Sequence, residues 1–447
     1  MKRFCHSGWF GRCLLGGVIC IGTMSLALPA RAQQFIPVPT ARVGPVANLG
    51  LGIAAGWLDY MQLLNDRDGG IQGVKLVWEE CEFEYKPDRA IECYERFKSK
   101  AAAWGGLPFV NLFNTPASYA LADRVVHDKG PMLNIGVGRA DAADGRVFPW
   151  VFPLISSYFS GNNALVQFIA QREGGIDKLK GKKIAFVYHD TAFGREELPI
   201  MELQAKRYGF EVIKVPVAPP GTEQQSQWLL IRQQQPDWVM LKTLGVMSVA
   251  ALKMAARVGF PMDRIVGGWW SGTTDDVVAA GDAAKGYIGA SLFGDGQNFP
   301  VIQEIIRRYY TGGKKGNAPD LKMVGTSNYN MGVGQAIMMT EAIRTAMTLY
   351  GSGKPVNGEQ VRNALEQLNI DEKRVRDIGA WGLVPTVKTS CADHEGSGAV
   401  RMHQWDGSKW TALAEWTVSD RALVRGFTEQ AAASYAKEKK LSVRDCR

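Results

Sequence analysis

The feature that most constrains this chain is an alternation of two apolar rhythms from about residue 35 to about residue 270. Short runs such as "VKLVWEE", "LPFVNLF", "PMLNIG", "KKIAFVYHD", "EVIKVPV", "PDWVMLKT" and "DRIVGGWW" are rich in Val, Ile, Phe and Trp and predict strands. Amphipathic stretches lie between them. In "GLGIAAGWLDYMQLLNDRDGG" the residues Ile53, Trp57, Tyr60, Met61 and Leu64 recur at helical spacing, and Gly69-Gly70 supplies a stop. Strand and helix in strict alternation predict an α/β fold, with parallel sheets covered by helices. The alternation breaks at "DGRVFPWVFPLISS", residues 144–157, where Pro149 and Pro153 punctuate an aromatic strand, as a crossing between two lobes would. A second α/β series follows, then the helical runs "VIQEIIRRYYTGG", "NYNMGVGQAIMMTEAIRTAMTLYG" and "GEQVRNALEQLN". In the tail, Asp406-Gly407 between Trp405 and Trp410 predicts a hairpin.

The first 34 residues bear on the compartment. Lys2, Arg3 and Arg12 precede an apolar run from Leu14 to Leu28, and Ala30-Arg31-Ala32 has the small-x-small form of a cleavage site. A removable signal peptide over residues 1–32 is expected; the apolar run is short for a membrane span, and no stop-transfer flank follows. Removing Lys2, Arg3, Arg12 and Arg31 lowers the net charge from +8 to +4, a balance that does not argue for nucleic acid. The remaining length favours two domains over one. Cys81, Cys93, Cys391 and Cys446 remain, and in an oxidising compartment they allow three pairings. Cys81 ends a strand-like run and Cys93 lies in the helix-like run after it, so a local bridge would staple the two for about 3 kcal/mol. Cys391 and Cys446 would then pin the C-terminus.

Enzyme motifs are mostly absent: the chain has no GxxxxGK[ST], HExxH or GxSxG. "GVGRADAADG", residues 136–145, starts like a dinucleotide fingerprint but has Asp141 where the third glycine belongs. Cys391, His394 and His403 are spaced like no common zinc site, and no metal or cofactor is expected. Ligands of open α/β sheets bind beyond the carboxyl ends of strands, so the loops there are the candidates. Asn114, Thr115 and Ser118 cluster at a helix start whose free N–H groups suit a carboxylate, with simple capping as the alternative. Gly136, Gly138 and Arg139 lie in the next flexible loop, Phe193 follows "VYHD", and Trp269 and Trp270 end another strand.

Over essentially its whole mature length the chain resembles the branched-chain amino-acid type of periplasmic solute-binding protein serving ABC transporters. The resemblance rests on "GPVANLGLGIAAGWLDYMQLLNDRDGGIQGVKL", the "C…ECYERFK" pair, "PASYALADRVVHDKGPMLNIGVGRADAADG", "VYHDTAFGRE" and "CADHEGSGAVRMHQWDGSKW". It implies two Rossmann-like lobes joined by three hinge crossings and closing on ligand. Lobe 1 would comprise 33–152 and 290–377, and lobe 2 would comprise 153–289 and 378–447. It implies a carboxylate held by Ser118 and the Gly136 to Arg139 loop, a hinge-side aromatic at Tyr158 or Phe159, a second-lobe aromatic at Phe193, a tyrosine at Tyr329 and a cationic contact from Arg42. Its partners would be a small carboxylate-bearing ligand and an inner-membrane ABC permease, and the protein would be a periplasmic monomer without enzymatic activity.

One departure narrows the expected ligand. Amino-acid binders of this family hold the ligand ammonium with an acid of the second lobe, where this chain reads "GGWWSGTTDD". Unless Asp275 or Asp276 reaches inward no acid is available, and an unpartnered buried ammonium is costly. With Phe113, Tyr119, Tyr158, Phe159, Phe193, Trp269 and Trp270 as candidates for the cleft, an apolar or aromatic carboxylate is expected. The rival readings are a branched-chain amino-acid binder, a ligand sensor on the same fold, and a secreted enzyme using Cys391, His394 and His403.

Overall fold

The computed structural model describes residues 32–446 apart from Lys314 and Glu415. Residues 1–31 of the expected signal peptide, with Cys5, Cys13 and Cys20, lie outside the described residues.

The first α/β series starts with strand Gln33–Thr40, paired in parallel with Lys75–Glu82, so that Gln33 faces Lys75 and Thr40 faces Glu82. A parallel pair needs a crossover, and the helix Ala47–Asp68 supplies it, ending at Gly69 as its sequence requires. Helix Pro87–Ala101 then returns across the same strands, and Cys81 and Cys93 are disulfide-bonded, tying the second strand to this helix. The expected strand in "LPFVNLF" is reduced to a single bridge between Val110 and Met132. Pro108 has no N–H to donate, and the chain soon turns into helix Thr115–Leu121. The short strands Met132–Leu133 and Val151–Phe152 continue the parallel pattern. Just beyond them Ile155 exchanges hydrogen bonds with Glu395 and Gly398, each 2.7 Å, so 153–157 and 395–398 run side by side.

The second series builds one large sheet. Its parallel members are Glu211–Val217, Lys183–His189, Trp238–Lys242, Ile265–Gly267 and Ile288–Ser291, adjacent in that order. Strand Ala399–Trp405 adds to Ile288–Ser291 in antiparallel sense and turns at Asp406-Gly407 into Trp410–Ala412. Trp405 and Trp410 face each other there with ring centroids 5.4 Å apart, the hairpin that the sequence predicts. The fold is thus α/β with a mostly parallel central sheet. Because neighbouring parallel strands end on the same edge, His189, Lys242 and Trp269 arrive together at its carboxyl side.

The helices expected near the C-terminal third are Pro300–Tyr309, Ser327–Tyr350 and Gly358–Leu365. A last helix, Arg421–Lys439, packs on the outside, and Cys391 is bonded to Cys446 beyond it. No helix among the described residues is long and apolar enough to cross a membrane.

Candidate functional site

The loops at the carboxyl ends of the two strand series meet around the Gly136 carbonyl. Three side chains converge on that oxygen: Trp269 Nε1 and Tyr158 OH each donate to it at 2.9 Å, and Trp270 Nε1 donates as well. Tyr158 opens helix Tyr158–Glu173, whose start is fixed by Ser157 accepting from Ser160 N–H. Its ring stacks on Trp269 at 5.3 Å and meets Phe193 edge-on at 5.7 Å. These aromatics are almost completely shielded from solvent.

Into this box projects a cation that sequence reasoning missed. Lys242, the last residue of strand Trp238–Lys242, is only 4% exposed. Its Nζ lies 2.9 Å from the centroid of the Tyr158 ring and 4.4 Å from that of Phe193. Ring faces are electron-rich and attract the ammonium, and Glu197 pairs with it at 2.5 Å. Burial nevertheless dominates and lowers the Lys242 pKa to about 8, against the pull of Glu197 and Glu196. Glu196 is the other missed residue. One of its oxygens accepts from Ala140 N–H, and the other is buried without a hydrogen-bond partner. Desolvation raises its pKa to about 8, so at neutral pH it is largely the uncharged acid. The only signals for these residues were a lysine closing an apolar strand and a Glu-Glu pair after Phe193.

Gly138 is where this cluster needs glycine. A Cβ there would stand 2.1 Å from Glu196 Oε2 and 2.7 Å from Thr115 Cγ2. Its N–H donates to Thr115 Oγ1 at 3.2 Å, and its carbonyl accepts from Asn134 Nδ2 at 2.6 Å.

The remaining sequence candidates divide. Asn114 caps the helix Thr115–Leu121, accepting from Ala117 N–H at 3.0 Å, while its amide donates to Tyr85 O. Ser118 Oγ is buried, 3.1 Å from Asn114 O and 3.3 Å from Asn134 Oδ1. Arg139 turns away from the box: it forms two 2.8 Å bonds with Asp141 and lies between Phe148 and Tyr435, at 4.3 and 3.9 Å. Phe159 packs edge-on against Phe427 of the last helix. Tyr329 donates to Asp59 at 2.7 Å within the helix packing. Arg42 pairs with Glu80 on a half-exposed surface, and its N–H donates to Glu82. Phe113 packs edge-on against Phe83 in the core.

The acid expected near "SGTTDD" does not join the box. Asp275 accepts from Asn328 Nδ2, and Asp276 is buried beyond Thr273, whose hydroxyl caps the same helix. The carboxyls at the box are those of Glu196 and Glu197, which the sequence reading did not weigh, while Asp275 and Asp276 line a cavity beside it. Cys391, His394 and His403 likewise have separate partners: Cys446, the Phe152 ring at 3.8 Å, and Asp295.

Two cavities flank this region. One, of 460 Å³, has Asn114, His189, Phe193, Leu244 and Val246 in its lining and is mostly apolar. The other, of 570 Å³, lies against the start of helix Ala47–Asp68 and includes Asn48, Lys253, Asp275 and Asn328. Asn114 and Phe193 are therefore the sequence candidates on the apolar cavity, with Phe193 linking it to the box, while Asp275 and Asp276 line the other cavity.

Among solved structures, a protein from the Pseudomonas fluorescens group described as an ABC transporter permease is 47% identical, with a TM-score of 0.87 over 93% of this chain and 100% of that one. A branched-chain amino-acid ABC transporter protein from Thermus thermophilus with bound valine is 23% identical, with a TM-score of 0.73 over 89% and 99%. An ABC transporter solute-binding protein from R. palustris in complex with benzoate is 16% identical, with a TM-score of 0.66 over 87% and 97%. The last two share the fold alone. No curated protein matches. Residues 33–409 match the model of the periplasmic binding protein family, and the chain belongs to that family.

Proposed function

We propose that this protein is exported to the periplasm, captures a small apolar or aromatic carboxylate between two closing lobes, and hands it to an inner-membrane ABC permease without altering it. The observation that carries the reading is Lys242, a buried ammonium set among Tyr158, Phe193 and Trp269, of which Phe193 also lines the apolar cavity. A carboxylate reaching Lys242 would exchange for Glu197 as its charge-assisted partner, and an apolar body would gain burial against Phe193 and Leu244. The valine-bound and benzoate-bound relatives of the same fold support a small organic acid. Ligand touching both lobes would favour the closed state, which is the form a permease would read.

A second reading, an amino-acid binder, is favoured by one observation: the unpartnered, buried Glu196 Oε2. An ammonium there would hold Glu196 ionised. A thermal-shift screen separates the two, since a ligand that binds only the native state raises the melting temperature. Benzoate, phenylacetate and branched aliphatic acids are expected to shift it, and leucine and valine are not. Lys242→Met is expected to weaken the acids about ten- to hundredfold, the worth of a charged hydrogen bond. A shift by leucine that Glu196→Gln removes would establish the second reading instead.

A further inference from the structure

The apolar cavity offers a solute few polar partners. Pro45, Pro87, Pro116, Pro219 and Pro220 belong to its lining, and proline carries no N–H. Asn114 uses its side chain to cap its own helix and to hold Tyr85 O, and Thr191 Oγ1 is engaged with His189 Nδ1 at 2.9 Å. On the same lining, His189 Nε2 and the Tyr85 hydroxyl have no hydrogen-bond partner among the described residues. His189 ends strand Lys183–His189 and meets Phe193, the ring shared by cavity and box, edge-on at 5.8 Å. Tyr85 has a φ of 59°, a left-handed backbone uncommon outside glycine, and the Asn114 amide on its carbonyl at 3.1 Å holds it there. Burial lowers the pKa of His189, against the pull of Asp190, and raises that of Tyr85, so both are uncharged at neutral pH.

We infer that His189 and Tyr85 select a hydroxyl on the body of the solute, so that among aromatic acids the hydroxylated ones are preferred. The inference rests on the carboxylate reading above and narrows its substrate class. A neutral imidazole nitrogen donates or accepts according to its tautomer, and a phenol does both. A ligand hydroxyl also donates and accepts through one oxygen, so it pairs with either group in either tautomer. A methoxy oxygen only accepts, and an unsubstituted ring covers the two groups and leaves them unpaired. A site whose polar groups lose water without gaining a partner rejects the ligand that covers them.

The test is calorimetric titration of the purified protein with benzoate and phenylacetate, each beside its meta- and para-hydroxy derivatives and the matching methoxy derivatives. At least one hydroxylated acid is expected to bind about tenfold more tightly than its parent and its methoxy counterpart. Tyr85→Phe removes one oxygen and His189→Leu removes the imidazole; the double variant is expected to bind the parent acid as the wild type does and to lose the hydroxyl preference. Where the two changes together also impair the parent acid, the single variants decide, and a preference unchanged in both overturns the inference. Equal binding of hydroxylated acids and their parents by the wild type, or a preference that survives in the double variant, overturns it and leaves the carboxylate reading standing. Failure of every acid to bind the wild type overturns the carboxylate reading, and the inference with it.

Discussion

At the scale of single residues, burial moves the titration of two groups at the box in opposite directions. Glu196 has its pKa raised from 4.5 to about 8 by burial. Between those values the native state keeps a proton that the unfolded chain releases, so this carboxyl draws stability down as pH rises from about 4.5 to about 8. Glutamine does not titrate. Glu196→Gln is therefore expected to raise the melting temperature relative to wild type more at pH 8 than at pH 5, and a constant difference at both would refute the assignment. Lys242 acts in the opposite sense. Its pKa falls from 10.5 to about 8, so its penalty is present below about pH 8 and is relieved between 8 and 10.5. Neither behaviour is written in the residue type, because both come from desolvation by elements far apart in the chain.

At the scale of elements, local chemistry was largely legible. The hairpin at Asp406-Gly407, the helix stop at Gly69 and the strand-to-helix bridge from Cys81 to Cys93 each follow from a few neighbouring residues. The bridge closes a loop of twelve residues of separation, and in the loop-entropy account its removal costs about 3 kcal/mol. The double variant Cys81→Ser, Cys93→Ser is expected to lower the urea unfolding midpoint by that equivalent; a change below about 1 kcal/mol would mean that packing, with Cys93 buried in the core, does most of the work. The strand expected in "LPFVNLF" shrank to a single bridge where Pro108 removes a donor and the chain leaves early for the next helix. Arg139 shows the same limit: its position in the loop is visible in sequence, but its partners Asp141, Phe148 and Tyr435, which turn its charge away from the box, are not.

At the scale of the whole molecule, the two strand series meet through Trp269 and Trp270 on the Gly136 carbonyl. Opening of the proposed lobes would break these contacts and ligand-driven closure would restore them, so intrinsic tryptophan fluorescence is expected to change when a bound acid drives closure. The change should be reduced in Trp270→Phe, and a ligand that raises the melting temperature with no fluorescence response would count against a closing motion there. The sequence by itself determined the α/β class, the order of strands and helices, and the residues able to supply an aromatic box, because backbone periodicity and turn chemistry act over a few residues. Only the tertiary structure decided that Phe159, Tyr329 and Arg42 stand outside that box and that Lys242, Glu196 and Glu197 stand at it. A side chain's charge state and direction depend on what packs against it, and here those partners come from segments up to hundreds of residues apart.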